Sequence, residues 1–133
     1  NSGLMIVHYT QAAMVAENRR LAVPASADTI PTSAMQEDHV SLGWAAATKL
    51  RTAIVNLERI VASELLCAAR ALELRAPLEP AAATSAAIAA LRAAGVGGPG
   101  PDRWQAPEQR AAVAAVHDGS IVAAVEAVTG PLE

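Results

Sequence analysis

The sequence predicts an all-α protein, and three observations predict it. Hydrophobic residues make up 53% of the chain but aromatics only 2%, so alanine, leucine, valine and isoleucine carry the apolar content. Alanine is the strongest helix former, and its small side chain lets helices approach closely. Apolar residues recur at helical spacing, and proline and glycine fall in the gaps between those stretches.

The first predicted helix runs from Leu4 to about Leu21. Leu4, Val7, Met14 and Leu21, filled in by alanines and Val15, form a broad apolar stripe. Arg19 and Arg20 suit the negative end of its dipole. His8 and Tyr9 interrupt the stripe and read as partnered core or interface residues. Residues 21–43 then form an irregular polar loop, because Pro24 and Pro31 lack the amide hydrogen a helix needs and restrict the residues before them. Such a long loop between two strongly periodic helices reads as a shaped site.

Asp38 or Ser41 is placed to cap the next helix, which spans 42–75 and forms a rod of roughly 50 Å. Leu50, Ile54, Leu57, Val61, Leu65, Ala68 and Leu72 follow alternating steps of three and four, while Val55, Ile60, Leu66 and Ala69 add apolar surface on other sides. A helix apolar nearly all round is buried on several faces. One small chain cannot wrap such a rod, so an oligomeric bundle or a missing upstream partner is expected. Cys67 reads as a small packed hydrophobe.

Pro77 and Pro80 end the rod, dividing core helices at 1–78 from short helices at 79–133. Thr84 or Ser85 opens an alanine helix to about Ala94, and Gly95–Pro101 reads as a flexible turn. That turn lacks the Lys-Ser/Thr ending of a phosphate-binding loop. Asp102 or Pro107 begins a helix to about Val116, followed by a cap at His117-Asp118-Gly119. The last helix runs from about Ser120 to Val128.

Charge and composition exclude several partners. A net charge of −3 with mixed signs offers no basic face for nucleic acid. No apolar run reaches the length needed to span a bilayer. Charged residues, at 17%, fall below the usual quarter, so much of the surface is expected to be covered. A single cysteine excludes an internal disulfide framework and fits a reducing, cytoplasmic setting. The start at Asn-Ser-Gly, leading straight into a helical pattern, reads as a position inside a larger protein.

Gln36, Glu37, Asp38 and His39 concentrate acid, amide and imidazole groups in the loop. In an extended stretch Gln36 and Asp38 would face one way, Glu37 and His39 the other. A buried glutamate holds a cationic or imidazole-bearing ligand, or acts as a base where desolvation raises its pKa. No second histidine or cysteine stands at metal-ligand spacing. From these residues alone a loop-stabilising cap and an active site are equally good readings.

The stretch NSGLMIVHYTQAAMVAENRRLAVPASADTIPTSAMQEDHVSLG resembles the C-terminal part of the aromatic amino-acid ammonia-lyases, in particular the branch acting on histidine. The resemblance continues through Glu64–Leu78 and, more loosely, Asp102-Arg103-Trp104. It implies a long-helix bundle of the fumarase/aspartase-like kind, assembled as a homotetramer around an aromatic amino-acid substrate. It also implies elimination of ammonia from L-histidine to give urocanate. Glu37 would be the catalytic acid lining the substrate pocket, with Gln36 a neighbouring pocket amide and Met35 beside them. Phenylalanine lyases carry glutamine at the Glu37 position, so this carboxylate leans toward an imidazole substrate. Two positions depart from the histidine pattern: Val23 stands where His is usual, and Met35 where Asn is usual. The alternatives are a tyrosine or phenylalanine lyase, an aminomutase, or a standalone helical interaction module. The family's methylidene-imidazolone (MIO) electrophile forms from an Ala-Ser-Gly triplet; Ala25-Ser26-Ala27 is the nearest here and lacks the glycine. The chain alone is therefore expected to be inactive.

Overall fold

The computed structural model describes residues 3–37 and 39–132. Five helices follow one another: α1 (Met5–Leu21), α2 (Gly43–Glu73), α3 (Ala82–Ala93), α4 (Ala106–His117) and α5 (Ser120–Thr129). Among the described residues there is no strand, only an isolated bridge between Thr32 and Glu37. The all-α expectation holds.

α2, with 31 residues, is the spine. Both α1 and α4 pack along it, and their polar contacts fix the direction. Gln11 Nε2 donates to the Ile60 carbonyl at 3.1 Å and Asn18 Nδ2 to the Ala53 carbonyl at 3.2 Å. Later residues of α1 thus meet earlier residues of α2, and the pair is antiparallel. Likewise Ser63 Oγ donates to Gln109 Oε1 at 2.9 Å, Arg70 Nη2 to Glu108 Oε2 at 3.3 Å, and His117 Nδ1 lies 3.0 Å from Glu58 Oε1, so α4 also runs against α2. The Glu58 carboxylate holds the exposed His117 imidazole above its ordinary value, in the direction the C-terminal end of the α4 dipole also favours.

The core is small and made of small groups. Ala62, Leu66 and Ala69 of α2 meet Leu91, Val96, Ala112, Ala115 and Ile121. Leu66 and Ala62 are fully buried. The face of α2 that carries Leu50, Ile54, Leu57 and Val61 lies open instead, with Leu50 61% and Leu57 54% exposed. Only one face of the rod is therefore covered by this chain. Cys67 is half-buried, and burial pushes its thiol up, as for a packed hydrophobe.

Several expected boundaries move. Asp38, one candidate cap of α2, lies outside the described residues. The other, Ser41, does not occupy the cap; Leu42 does, in the left-handed region at φ 51°, while Ser41 Oγ accepts from the Gly43 amide at 3.4 Å. α3 starts at Ala82 rather than Thr84 or Ser85, because the alanines after Pro80 propagate the helix backward. The Ser85 hydroxyl donates to the Pro80 carbonyl at 3.3 Å. α4 begins at Ala106 with Pro107 in its first turn, and Asp102 instead accepts from the Gly3 amide at 3.1 Å. His8 and Tyr9 are exposed, so neither is a core residue.

The turn 95–101, expected to be flexible, is pinned. Val96 is 1% exposed and its carbonyl accepts from Arg92 Nη1 at 2.9 Å. Glu108, buried at the start of α4, accepts from the Gly97 amide at 2.9 Å, from Arg70 and from Arg103, and Arg103 Nη2 also reaches the Gly98 carbonyl at 2.8 Å. A Cβ on Gly97 would fall 2.6 Å from that Arg103 nitrogen, so a side chain there would have to push the guanidinium aside. Arg92 further pairs with Glu73 at 3.0 Å, tying α3 to the end of α2. Gly119, at φ 77°, turns the chain between α4 and α5.

Two predictions follow from this core. Leu66→Ala empties a fully buried site and is expected to cost about 2–5 kcal/mol in urea unfolding. The Arg103 hydrogen bond holds Glu108 below its usual carboxylate range, aided by the Gly97 amide and the Arg103 and Arg70 charges, against the opposing effect of burial. A depressed folded value means the stabilisation is complete above the unfolded value of 4.5 and is lost as pH falls through the folded one. Glu108→Gln is expected to flatten the loss of stability below about pH 4.5 and to lower stability at neutral pH, both read by unfolding across pH.

Candidate functional site

The loop between α1 and α2 is stitched by side chains rather than by regular structure. Lys49 Nζ, in the first part of α2, donates to the Val23 carbonyl. Ser26 Oγ donates to the Ser41 carbonyl at 3.0 Å. Thr29 Oγ1 both accepts from the Val40 amide at 2.9 Å and faces its carbonyl at 3.3 Å. These bonds draw the outgoing and returning arms together, and the acidic segment lies at the far end of the loop.

There the chain makes a tight hairpin-like turn. The Thr32 amide donates to the Glu37 carbonyl at 2.6 Å, and the Glu37 amide to the Thr32 carbonyl at 3.2 Å. Between them Ser33, Ala34 and Met35 all have positive φ, at 52°, 53° and 68°. Three consecutive residues with side chains in the left-handed region cost on the order of 1–2 kcal/mol each. Such strain persists only where surrounding bonds over-determine it, and it concentrates at functional segments.

Each expected site residue has a definite place on this turn. Met35, 78% exposed, is its last left-handed residue. Gln36 is helical at φ −75°, so the strict alternation expected of an extended stretch does not hold across it. Glu37 closes the turn and is exposed rather than buried; the Thr32 hydroxyl donates to its Oε2 at 3.3 Å. His39 is exposed, and Asp38 lies outside the described residues. Among the described residues no three His, Cys, Asp or Glu side chains converge as metal ligands.

Concavities lie elsewhere on the chain. A groove of about 730 Å³ between α1 and α4 is lined by Ile6, Met14, Arg59, Trp104 and Val113, among others. A smaller one of about 250 Å³ at the foot of the loop is lined by Asn18, Val23, Lys49 and Leu50, among others. Met35, Gln36 and Glu37 line neither. The larger groove is mostly apolar, and its Arg103 is already bound to Glu108, so the chemistry-bearing residues remain those of the loop.

A family model for aromatic amino acid lyases matches residues 1–93. The chain belongs to the aromatic amino acid lyase family. It is 68% identical over 132 residues to the histidine ammonia-lyase of Streptomyces avermitilis and 67% identical over 134 residues to that of Streptomyces griseus, with 99% of this chain and 26% of each relative covered. The crystal structure of histidine ammonia-lyase from Trypanosoma cruzi superposes with a TM-score of 0.90 at 37% identity, covering 96% of this chain and 25% of that one. The chain thus spans about a quarter of the length of the relatives it matches.

As a lyase segment, the chain holds more of the loop's architecture than the residues of its acidic run. Ser26, Thr29 and Thr32 are visible in the sequence only as small hydroxyl residues in a polar stretch. Their one signal is spacing: the three are spread along the arm that faces Val40, Ser41 and Glu37. Thr29→Val removes both bonds to Val40. It is expected to speed hydrogen exchange at the Val40 amide roughly five- to tenfold while changing global stability by less than about 0.5 kcal/mol, as measured by NMR exchange and urea unfolding.

Proposed function

We propose that this chain is the segment of a histidine ammonia-lyase that supplies the acidic wall of the substrate pocket. The observation that carries the reading is the conjunction of Glu37, set on a strained and clamped turn, with 68% identity to a histidine ammonia-lyase over 132 residues. The reaction is the elimination of ammonia from L-histidine to give urocanate.

The chemistry assigned to this chain runs through Gln36 and Glu37. An ionised Glu37 accepts hydrogen bonds from the substrate imidazole and orients it, or takes up a proton where the closed pocket desolvates it. The Gln36 amide offers both a donor and an acceptor beside it. Met35 and Val23, both exposed, occupy positions from which the pocket wall sets preference among aromatic side chains.

The MIO electrophile implied by the family does not fit this chain's residues. Ala25-Ser26-Ala27 lacks the glycine that ring closure needs, and the Ser26 hydroxyl is engaged with the Ser41 carbonyl. Formation of the electrophile is assigned to an Ala-Ser-Gly elsewhere in the complete protein, and no step is routed through it here. A catalytic acid without its electrophile has nothing to assist, because such groups act as a unit; the chain alone is inactive in this reading.

Self-association follows from the same reading. Leu50, Ile54, Leu57 and Val61 recur at packing-seam spacing on one uncovered face of α2, with Trp44 88% exposed near its start. A long helix with such a seam suits a bundle of several copies, here a homotetramer.

The test is turnover of the complete enzyme. With L-histidine, Glu37→Gln is expected to lower kcat/KM by at least about a hundredfold without loss of folding, as for removal of a positioned acid or base. L-tyrosine and L-phenylalanine are expected to be poorer substrates. Equal turnover of wild type and Glu37→Gln, or urocanate production by the isolated chain, would falsify the proposal.

A further inference from the structure

We infer that Thr32 is the positioning residue for the Glu37 carboxylate. The inference rests on the reading of Glu37 given above, and names what aims it. Thr32 holds Glu37 in two ways. Its amide and carbonyl exchange both main-chain hydrogen bonds with Glu37, at 2.6 and 3.2 Å, and its hydroxyl donates to Oε2 at 3.3 Å.

The main-chain pair fixes where the Glu37 Cα sits and which way its side chain leaves the turn. That matters because the turn is strained. Ser33, Ala34 and Met35 occupy the left-handed region without a glycine or asparagine to make it easy, and the closing pair holds that geometry together with the Gln36 amide, which donates to the Ser33 carbonyl at 3.1 Å. The hydroxyl then acts on the last torsion. A carboxylate on an exposed glutamate rotates broadly about its terminal bond. One donated hydrogen bond to Oε2 sets the plane of the group and leaves its remaining lone pairs for an incoming donor. Threonine suits this task better than serine, since its branched Cβ restricts χ1 and so the direction of the hydroxyl. Pro31 immediately before it limits the main chain as well.

A double-mutant cycle in the complete enzyme tests the inference. Thr32→Val keeps the branched shape and both main-chain bonds and removes only the hydroxyl. It is expected to lower kcat/KM for L-histidine roughly tenfold, the effect of one hydrogen bond to a charged group. Thr32→Ser is expected to recover activity to within about threefold, because the donor returns. In a Glu37→Ala background Thr32→Val is expected to have no further effect, since a residue acting through Glu37 has nothing left to aim. Thermal unfolding of each variant controls for the fold, and Thr32→Ala replaces Thr32→Val in the cycle if the valine variant is recovered unfolded. Additive losses in the two backgrounds, or an unimpaired Thr32→Val beside a crippled Glu37→Ala, overturn the role of Thr32 and leave that of Glu37 standing. An unimpaired Glu37→Ala overturns the site itself, and the inference with it.

Discussion

The long helix α2 organises this chain through a line of polar contacts rather than through its apolar content. Alanine faces pack closely but specify little, because one methyl resembles the next and a helix can slide along another at small cost. Register therefore has to come from groups that tolerate one arrangement only. Asn56 Nδ2 donates to Asn18 Oδ1 at 3.0 Å, and Asn56 is 7% exposed. A slip of one residue would leave the buried Asn56 amide without its partner, at about 1–3 kcal/mol. Ser63 with Gln109, and Arg70 with Glu108, do the same for α4. These contacts lie along one side of α2, and they place α1, and hence the start of the loop, relative to the helix that follows it.

The Glu108 cluster extends that logic to the C-terminal half. Its carboxylate gathers Arg70 from α2, Arg103 from the connecting segment and the Gly97 amide from the turn. The end of α2, the glycine-rich turn and the segment before α4 meet at one charge. Its 8% exposure makes the loss of any donor expensive, since a buried carboxylate without compensation is far less stable than a paired one. The glycine-rich turn is tied down by these bonds despite its composition.

Helix number and approximate span were legible from periodicity and proline placement, since both are local properties of the chain. The burying face of α2 was not. The largest hydrophobes, Leu50, Ile54, Leu57 and Val61, mark the obvious seam, yet Ala62, Leu66 and Ala69 form the face that this chain covers. Periodicity shows which residues share a face and is silent on which neighbour comes to it. The loop's position and its acidic run were equally plain, and the family followed from them. Its closure was not, because Ser33, Ala34 and Met35 adopt left-handed angles without the glycine or asparagine that announces them. The Glu108 cluster was invisible for a third reason: its members are ordinary charges until the fold brings them together.

Two of the surfaces this chain leaves open, the Glu37 turn and the apolar seam of α2, belong to one physical problem. An exposed carboxylate is well solvated, and water weakens its hold on any ligand. In the proposed role, Glu37 would bind an imidazole firmly only with surroundings drier than they are on this turn. The open seam on α2 poses the complementary demand, since apolar side chains in water favour being covered by roughly 25 cal/mol per Å². Gly43, six residues after Glu37, begins the helix whose first turns carry Trp44 and Leu50. Covering that end of α2 brings new chain close to the loop's returning arm, which Thr29 and Ser26 already tie down. In the proposed lyase, burial of the seam therefore supplies the driving force and desolvation of Glu37 the functional result. Assembly and activity are then coupled through the few residues between Glu37 and Leu50.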